Sequence, residues 1–287
     1  MPYAATRDGV QLYFEEAGTG TPMLFVHEFA ADYAGWEPQM RYFSRKHRCI
    51  TFSARGYTPS HVPEAADAYS YAHFRDDVIA MLDHLGLAAA HLVGLSMGAY
   101  SSLQVGLKAP ARALSLTLAG IGSGFEADRL TKFREECEVR ALQFEREGAV
   151  EVARLYGMGP GRIPFLVKDP RGFAEFNDAF GQHDAQGSAN TMRGFQGGRP
   201  PLSEFLNQIR DVTLPTLIIV GDEDDSCIEA SLFLKKHIAT SGLLMFPKTG
   251  HVLNLEEPAL FNEAVERFIG LAEAGRWGAR DPRSMRG

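Results

Sequence analysis

The residues best placed to do chemistry are Ser96, an acid among Asp222, Asp224 and Asp225, and His251. Ser96 lies in Gly94-Leu95-Ser96-Met97-Gly98, between the apolar Leu92-Val93 and a helical pattern from Ala99 to Lys108. Strand, tight turn with a central serine, then helix is the pattern of a nucleophile elbow. The two glycines let the turn close against its neighbours and hold the serine in a strained conformation. The helix N-terminus behind it aims backbone N–H groups, the Met97 N–H first, at a reacting atom. A serine hydroxyl is a weak nucleophile until a base takes its proton. A histidine can do this near neutral pH when a carboxylate orients its ring.

The elements that must position these groups alternate. Tyr3–Ala5 and Val10–Glu16 flank Asp8-Gly9 and read as a hairpin. Met23–Val26 and Cys49–Phe52 read as strands buried on both faces, with an amphipathic helix over Trp36–Lys46 between them. Tyr71–Leu85 has apolar residues at helical spacing and ends at Gly86, a natural cap. Strands follow at Leu92–Val93, Leu114–Leu118, Thr216–Val220 and Leu243–Phe246, with helices over Glu229–His237 and Leu255–Ala272. This order predicts an α/β fold: a mostly parallel central sheet flanked by helices, with ligands bound beyond the carboxyl ends of the strands. His27, Arg55 and Ser96 each follow a strand, so they should meet on one rim.

The alternation stops at about Gly122. A helix capped by Asp128 is expected to Gly148 and another over Val150–Tyr156, followed by short helical patterns without a clear strand. Residues 122–208 are therefore expected to form a helical cap over the rim of a core made of 1–121 and 209–274. Residues 275–287 should be a flexible, solvated tail.

The bulk properties narrow the function. The chain has 287 residues, 45% of them hydrophobic, enough for one large domain with a substantial core. A net charge of −7 without a basic stripe argues against nucleic acid as a partner. No apolar run is long enough to span a membrane, and the first residues lack a secretory signal pattern. Cys49, Cys137 and Cys227 are widely spaced and odd in number, which fits free thiols in the cytoplasm. No metal-binding spacing occurs, so no metal or other cofactor is expected. A small-molecule substrate is the expected partner, with a second copy of the chain as a further candidate.

Ser96, the Gly221-Asp222-Glu223-Asp224 loop, and Gly250-His251 with Glu256-Glu257-Pro258 stand in the order serine, acid, histidine, each after a strand. In this the chain resembles the α/β-hydrolase superfamily over nearly its whole length. The resemblance implies an α/β-hydrolase fold with Ser96 as nucleophile, His251 as general acid and base, and Asp224 as the orienting acid. It also implies an oxyanion hole made by the backbone N–H groups of Met97 and, from the loop after the third strand, Phe29. Hydrolysis of a small to medium carboxylic ester is the first expectation. A lactone or the carbon–carbon bond of a ring-cleavage product comes next, then perhydrolysis. A ligand receptor built on the same fold is the rival from another class. Ser96 disfavours dehalogenase and epoxide hydrolase chemistry, whose members carry aspartate at the elbow.

The chain departs from the resemblance at His27-Glu28, where most relatives have His-Gly. Dienelactone hydrolases are similar in carrying a glutamate in this loop, there beside a cysteine nucleophile. Glu28 is expected at or near the active site, bonded to Arg55 or to backbone, or else turned aside into a structural hydrogen bond. In the cap, His183 and Arg193 could anchor a substrate carboxylate; bonds within the cap are their plainer role.

Overall fold

A computed structural model describes residues 2–122 and 129–284. Its sheet has eight strands: β1 (Tyr3–Ala5), β2 (Gln11–Ala17), β3 (Pro22–Val26), β4 (Arg48–Phe52), β5 (Ala90–Leu95), β6 (Ala113–Ala119), β7 (Thr216–Gly221) and β8 (Ser241–Phe246). They lie in the order β1-β2-β4-β3-β5-β6-β7-β8. β1 and β2 are antiparallel, β2 joins β4 antiparallel, and every later pairing is parallel. The Asp8-Gly9 turn closes the first hairpin, with Gly9 at φ 84°.

The continuous apolar runs of the central strands reflect burial on both faces. Leu24 and Val26 join one core with Leu92, Leu116 and Ile218, while Met23 and Phe25 join a second with Val93, Leu95 and Ile219. Helices α1 (Glu37–Phe43) and α11 (Pro258–Glu273) cover the second core through Met40, Phe43, Phe261, Val265 and Phe268. Helices α2 (Tyr71–His84), α3 (Met97–Lys108) and α9 (Asp225–His237) cover the first. α2 is capped by Ser70, whose hydroxyl accepts from the His73 N–H, and ends before Gly86 at φ 64°.

Between β6 and β7 the described residues contain no strand. α4 (Leu130–Gly157) is followed by α5 (Ile163–Lys168), α6 (Pro170–Gly181), α7 (Ala185–Thr191), a π-helical turn over Met192–Gly197, and α8 (Leu206–Arg210). The two helices expected over 128–148 and 150–156 form one element, α4, broken at Gly148, whose φ of 79° and ψ of 171° are not helical. The expected cap residue Asp128 and the start of the inserted segment lie outside the described residues. The closing helix is also in two pieces, α10 (Leu253–Glu256) and α11, because Pro258 begins a new helix.

The expectation of a flexible, solvated tail over 275–287 is corrected at Trp277 and Arg280; residues 281–284 are exposed and 285–287 lie outside the described residues. Trp277 packs edge-on against Phe268 at 4.7 Å, and its indole N–H donates to the Thr240 carbonyl at 2.8 Å. The Arg280 N–H donates to the Ala239 carbonyl at 3.1 Å. A chain with these anchors is tied to the sheet edge at β8.

Candidate active site

Ser96 is the one residue between β5 and α3, and its φ of 53° with ψ of −109° is a backbone conformation that side-chain-bearing residues rarely adopt. Packing enforces it. A Cβ on Gly94 would overlap the Gly98 carbonyl, and one on Gly98 would overlap the carbonyl of Val26 at the end of β3. The Ser96 N–H donates to the Ala119 carbonyl at 2.8 Å, which ties the turn to the end of β6.

The loop after β7 presents three aspartates with different fates. The Asp222 carboxylate accepts from the Thr249 N–H at 3.2 Å, and Asp225 is exposed in the first turn of α9. Asp224 is buried and accepts from His251 Nδ1 at 2.7 Å. Since a carboxylate can only accept, Nδ1 carries the proton and Nε2 is left for proton exchange. The Ser226 hydroxyl donates to the other Asp224 oxygen at 3.1 Å.

Burial works against charge on both members of this pair. For His251 the opposing charge and hydrogen bond of Asp224 win, and its pKa lies well above the ordinary imidazole value. For Asp224 the same pairing overcomes burial and lowers its pKa. Cys227 lies alongside, its Sγ donating to the Gly120 carbonyl at 3.2 Å and 3.8 Å from His251 Nδ1. Asp224, Cys227 and His251 are the described residues whose atoms gather within 4.8 Å in a way that could hold a metal, but the aspartate–histidine hydrogen bond occupies the facing atoms.

Ser96, Asp224 and His251 line one cavity of about 720 Å³, a volume suited to a small molecule. Phe133, Cys137, Tyr156 and Arg162 wall it from the inserted helical segment, and the π-helical turn adds Met192 and Gln196. Among the described residues, neither the Met97 N–H nor the Phe29 N–H is taken up by a hydrogen bond. Both residues are buried.

Glu28 is buried to 1% exposure and takes both expected kinds of partner, with one substitution. Its carboxylate accepts from the backbone N–H of Ala30 at 3.2 Å. Its cation, however, is Arg162 and not Arg55: Arg162 Nη2 donates to the two carboxylate oxygens at 3.0 and 2.8 Å. Arg162 also stacks over the Tyr156 ring at 4.6 Å. Burial opposes its charge, but Glu28, with smaller contributions from Tyr156 and Asp224, outweighs it and raises the Arg162 pKa above the ordinary value.

Other expected rim residues are placed elsewhere. Arg55 is buried in a bidentate pair with Asp77, at 2.7 and 2.6 Å, and donates to Asp8 and the Ala68 carbonyl. It holds α2 to the start of the chain. His27 receives the Ala54 N–H on Nε2 at 3.0 Å, so Nδ1 is its protonated nitrogen and donates to the Glu28 carbonyl at 2.7 Å. Burial lowers its pKa to about 4, and both nitrogens are committed to backbone. His183 stands edge-on between Tyr57 and Phe180, both at 5.1 Å. It lines a separate hollow of about 560 Å³, and burial drives its pKa to about 3. Arg193 pairs with Glu138 and Glu145 at the surface. Neither His183 nor Arg193 lines the Ser96 cavity, and the Arg193 ion pairs fit the plainer role expected for it, bonds within the inserted segment. Arg162 went unnoticed in the sequence because Gly159-Pro160-Gly161-Arg162 reads as an ordinary turn. The only signal was indirect: a glutamate forced into a buried loop needs a cation.

A family model described as alpha/beta hydrolase fold matches residues 21–258. The chain is 25% identical over 252 residues to 3-oxoadipate enol-lactonase 2 of Acinetobacter baylyi, covering 86% of this chain and 88% of that protein. It is 27% identical over 261 residues to a 2-(acetamidomethylene)succinate hydrolase of Mesorhizobium japonicum, covering 91% and 92%. The crystal structure of the enol-lactonase from Burkholderia xenovorans LB400 superposes with a TM-score of 0.80 at 20% identity, over 94% of this chain and 100% of that one.

Proposed function

The chain belongs to the α/β-hydrolase fold family, and within it we propose a serine hydrolase that cleaves small to medium carboxylic esters through an acyl-enzyme. The observation that carries this reading is the strained Ser96, which shares a cavity with a His251 that is hydrogen-bonded to buried Asp224.

His251 Nε2 takes the Ser96 proton as the hydroxyl oxygen attacks the carbonyl carbon. The raised basicity of the imidazole favours this transfer, and Asp224 stabilises the imidazolium that results. The carbonyl oxygen, now negative, is received by the unoccupied N–H groups of Met97 and Phe29; such donors are worth about 10²–10³ in rate each. His251 returns the proton to the leaving alcohol. A water then attacks the acyl-serine with the same residue as base, regenerating Ser96.

A lactone is the second reading, supported by the enol-lactonase relatives. It needs no change in chemistry, since ring opening leaves the alcohol on the acyl group.

The test is hydrolysis of p-nitrophenyl esters with acyl chains from acetyl to octanoyl, comparing wild type with Ser96→Ala. Turnover on short chains that disappears in the variant supports the proposal. Turnover that survives in Ser96→Ala rejects it. If the wild type neither turns over these esters nor is labelled by a fluorophosphonate, the ligand-receptor reading replaces it.

A further inference from the structure

Arg162 has more hydrogen-bonding capacity than its ion pair uses. Both contacts to Glu28 come from Nη2, so among the described residues Nε–H and the two Nη1–H groups have no acceptor. Nε is fully buried in that condition. The residue is 7% exposed, and the cavity it lines is the one that holds Ser96 and His251. Unclaimed donors on a buried guanidinium are costly, and Nη1, absent from the fully buried atoms, is the one that a molecule in this cavity can satisfy.

Its position relative to the reacting groups is fixed at both ends. The neighbouring Gly161 carbonyl accepts the His251 N–H at 2.6 Å. The guanidinium holds Glu28, whose next residue is Phe29, the proposed oxyanion donor. Arg162 therefore bridges the histidine loop and the oxyanion loop, and lines the same cavity as Ser96. The Tyr156 ring beneath it keeps the planar group in place. Of the acids that also line this cavity, Asp224 is buried and bound to His251, while Glu136, Glu223 and Asp225 are exposed, where water screens them. Arg162 acts from a nearly buried position in the wall, where a charge-assisted hydrogen bond is strong.

We propose, building on the serine-hydrolase reading, that Arg162 binds a carboxylate on the substrate, so that the preferred substrates are esters or lactones carrying a free carboxylate near the scissile carbonyl. Nη1, which neither bonds Glu28 nor is among the fully buried unpartnered atoms, presents the donors for a charge-assisted hydrogen bond to the carboxylate. Glu28 is the competing anion: it keeps the guanidinium oriented in the empty site and weakens its hold on the substrate.

Two matched pairs test this, each replacing a carboxylate by an isopropyl group of similar shape. Monoethyl succinate is paired with ethyl 4-methylpentanoate, placing the charge on the acyl side. Acetoxyacetate is paired with isobutyl acetate, placing it on the alcohol side. The readout is the preference within a pair, measured as kcat/KM in the wild type and as calorimetric Kd in Ser96→Ala protein. The expected preference for the charged member is about ten- to hundredfold in at least one pair. It should collapse toward one in Glu28→Gln/Arg162→Gln, which leaves no unpaired buried charge, and be partly restored in Glu28→Gln/Arg162→Lys. Glu28→Gln alone should raise the preference, because the competing anion is gone. A purely structural ion pair would instead make Glu28→Gln and Arg162→Gln lose equally on both members. That result, or no preference in either pair, overturns the proposal. The binding arm keeps the two readings apart: absent turnover with intact carboxylate preference in Ser96→Ala protein faults the hydrolase reading alone, whereas turnover without preference faults Arg162 alone.

Discussion

Breaking the Glu28–Arg162 pair should destabilise the fold by an amount that depends on which partner is removed. Their side chains are 1% and 8% exposed, so Glu28 cannot fall back on bulk water and Arg162 meets it only through the cavity it lines. Arg162→Met leaves the Glu28 carboxylate with one remaining donor, the Ala30 N–H at 3.2 Å. Leaving a buried charge uncompensated costs about 3–5 kcal/mol. Glu28→Gln should cost less, about 1–3 kcal/mol, because an amide oxygen still accepts from the guanidinium and Arg162 borders a cavity that admits water. Glu28→Gln/Arg162→Met removes both charges and should cost no more than about 3 kcal/mol, well below the sum of the single changes. Urea unfolding, followed by far-UV circular dichroism and tryptophan fluorescence, measures all four proteins. A cost below about 1 kcal/mol for Arg162→Met, or a double variant equal to the sum of the singles, would refute the burial argument.

Asp224→Asn should lower kcat by about 10⁴ while leaving KM nearly unchanged, because the amide favours the wrong imidazole tautomer. Steady-state kinetics across pH checks the same pair. In the wild type His251 must be neutral to act as base, so kcat/KM falls as pH drops through its raised pKa, and removing the Asp224 charge should move that limb to lower pH. Gly98→Ala places a methyl against the Val26 carbonyl and should cost about 3 kcal/mol in urea unfolding, with activity lost in whatever folds. Arg193→Ala should leave kcat/KM within about twofold of wild type and stability within about 1 kcal/mol, since its ion pairs are partly exposed and lie away from the Ser96 cavity.

The sheet and the tight turn at Ser96 were legible because their constraints are local in sequence. The apolar runs at Met23–Val26 and Cys49–Phe52 read as strands covered on both faces, and both are buried strands. The two glycines around Ser96 marked a turn too tight for side chains, and a Cβ at either position would indeed overlap backbone. The inserted segment was harder to read. Its helices are short or broken, as at Gly148, and its pairings are remote: Arg162 meets Glu28 across 134 residues. That a buried glutamate needs a cation follows from physics; which arginine supplies it depends on how the segment docks, and Arg55 was already bound to Asp77. His183 and Arg193 have the right chemistry for binding an anion, but residue type does not say which face of a helix they occupy. Trp277 was missed for a related reason, because a lone tryptophan among arginines does not reveal that Gly242 leaves a slot for its ring.

The most direct test of the central claim is acyl trapping. Protein mixed with p-nitrophenyl acetate is quenched in acid within the first turnover, digested, and the peptides analysed by mass spectrometry. The account predicts one acetyl group, on the peptide carrying Ser96 and on that residue, absent from Ser96→Ala. Nitrophenol release at the wild-type rate with no acetyl on Ser96, or an acetyl group elsewhere, would contradict it.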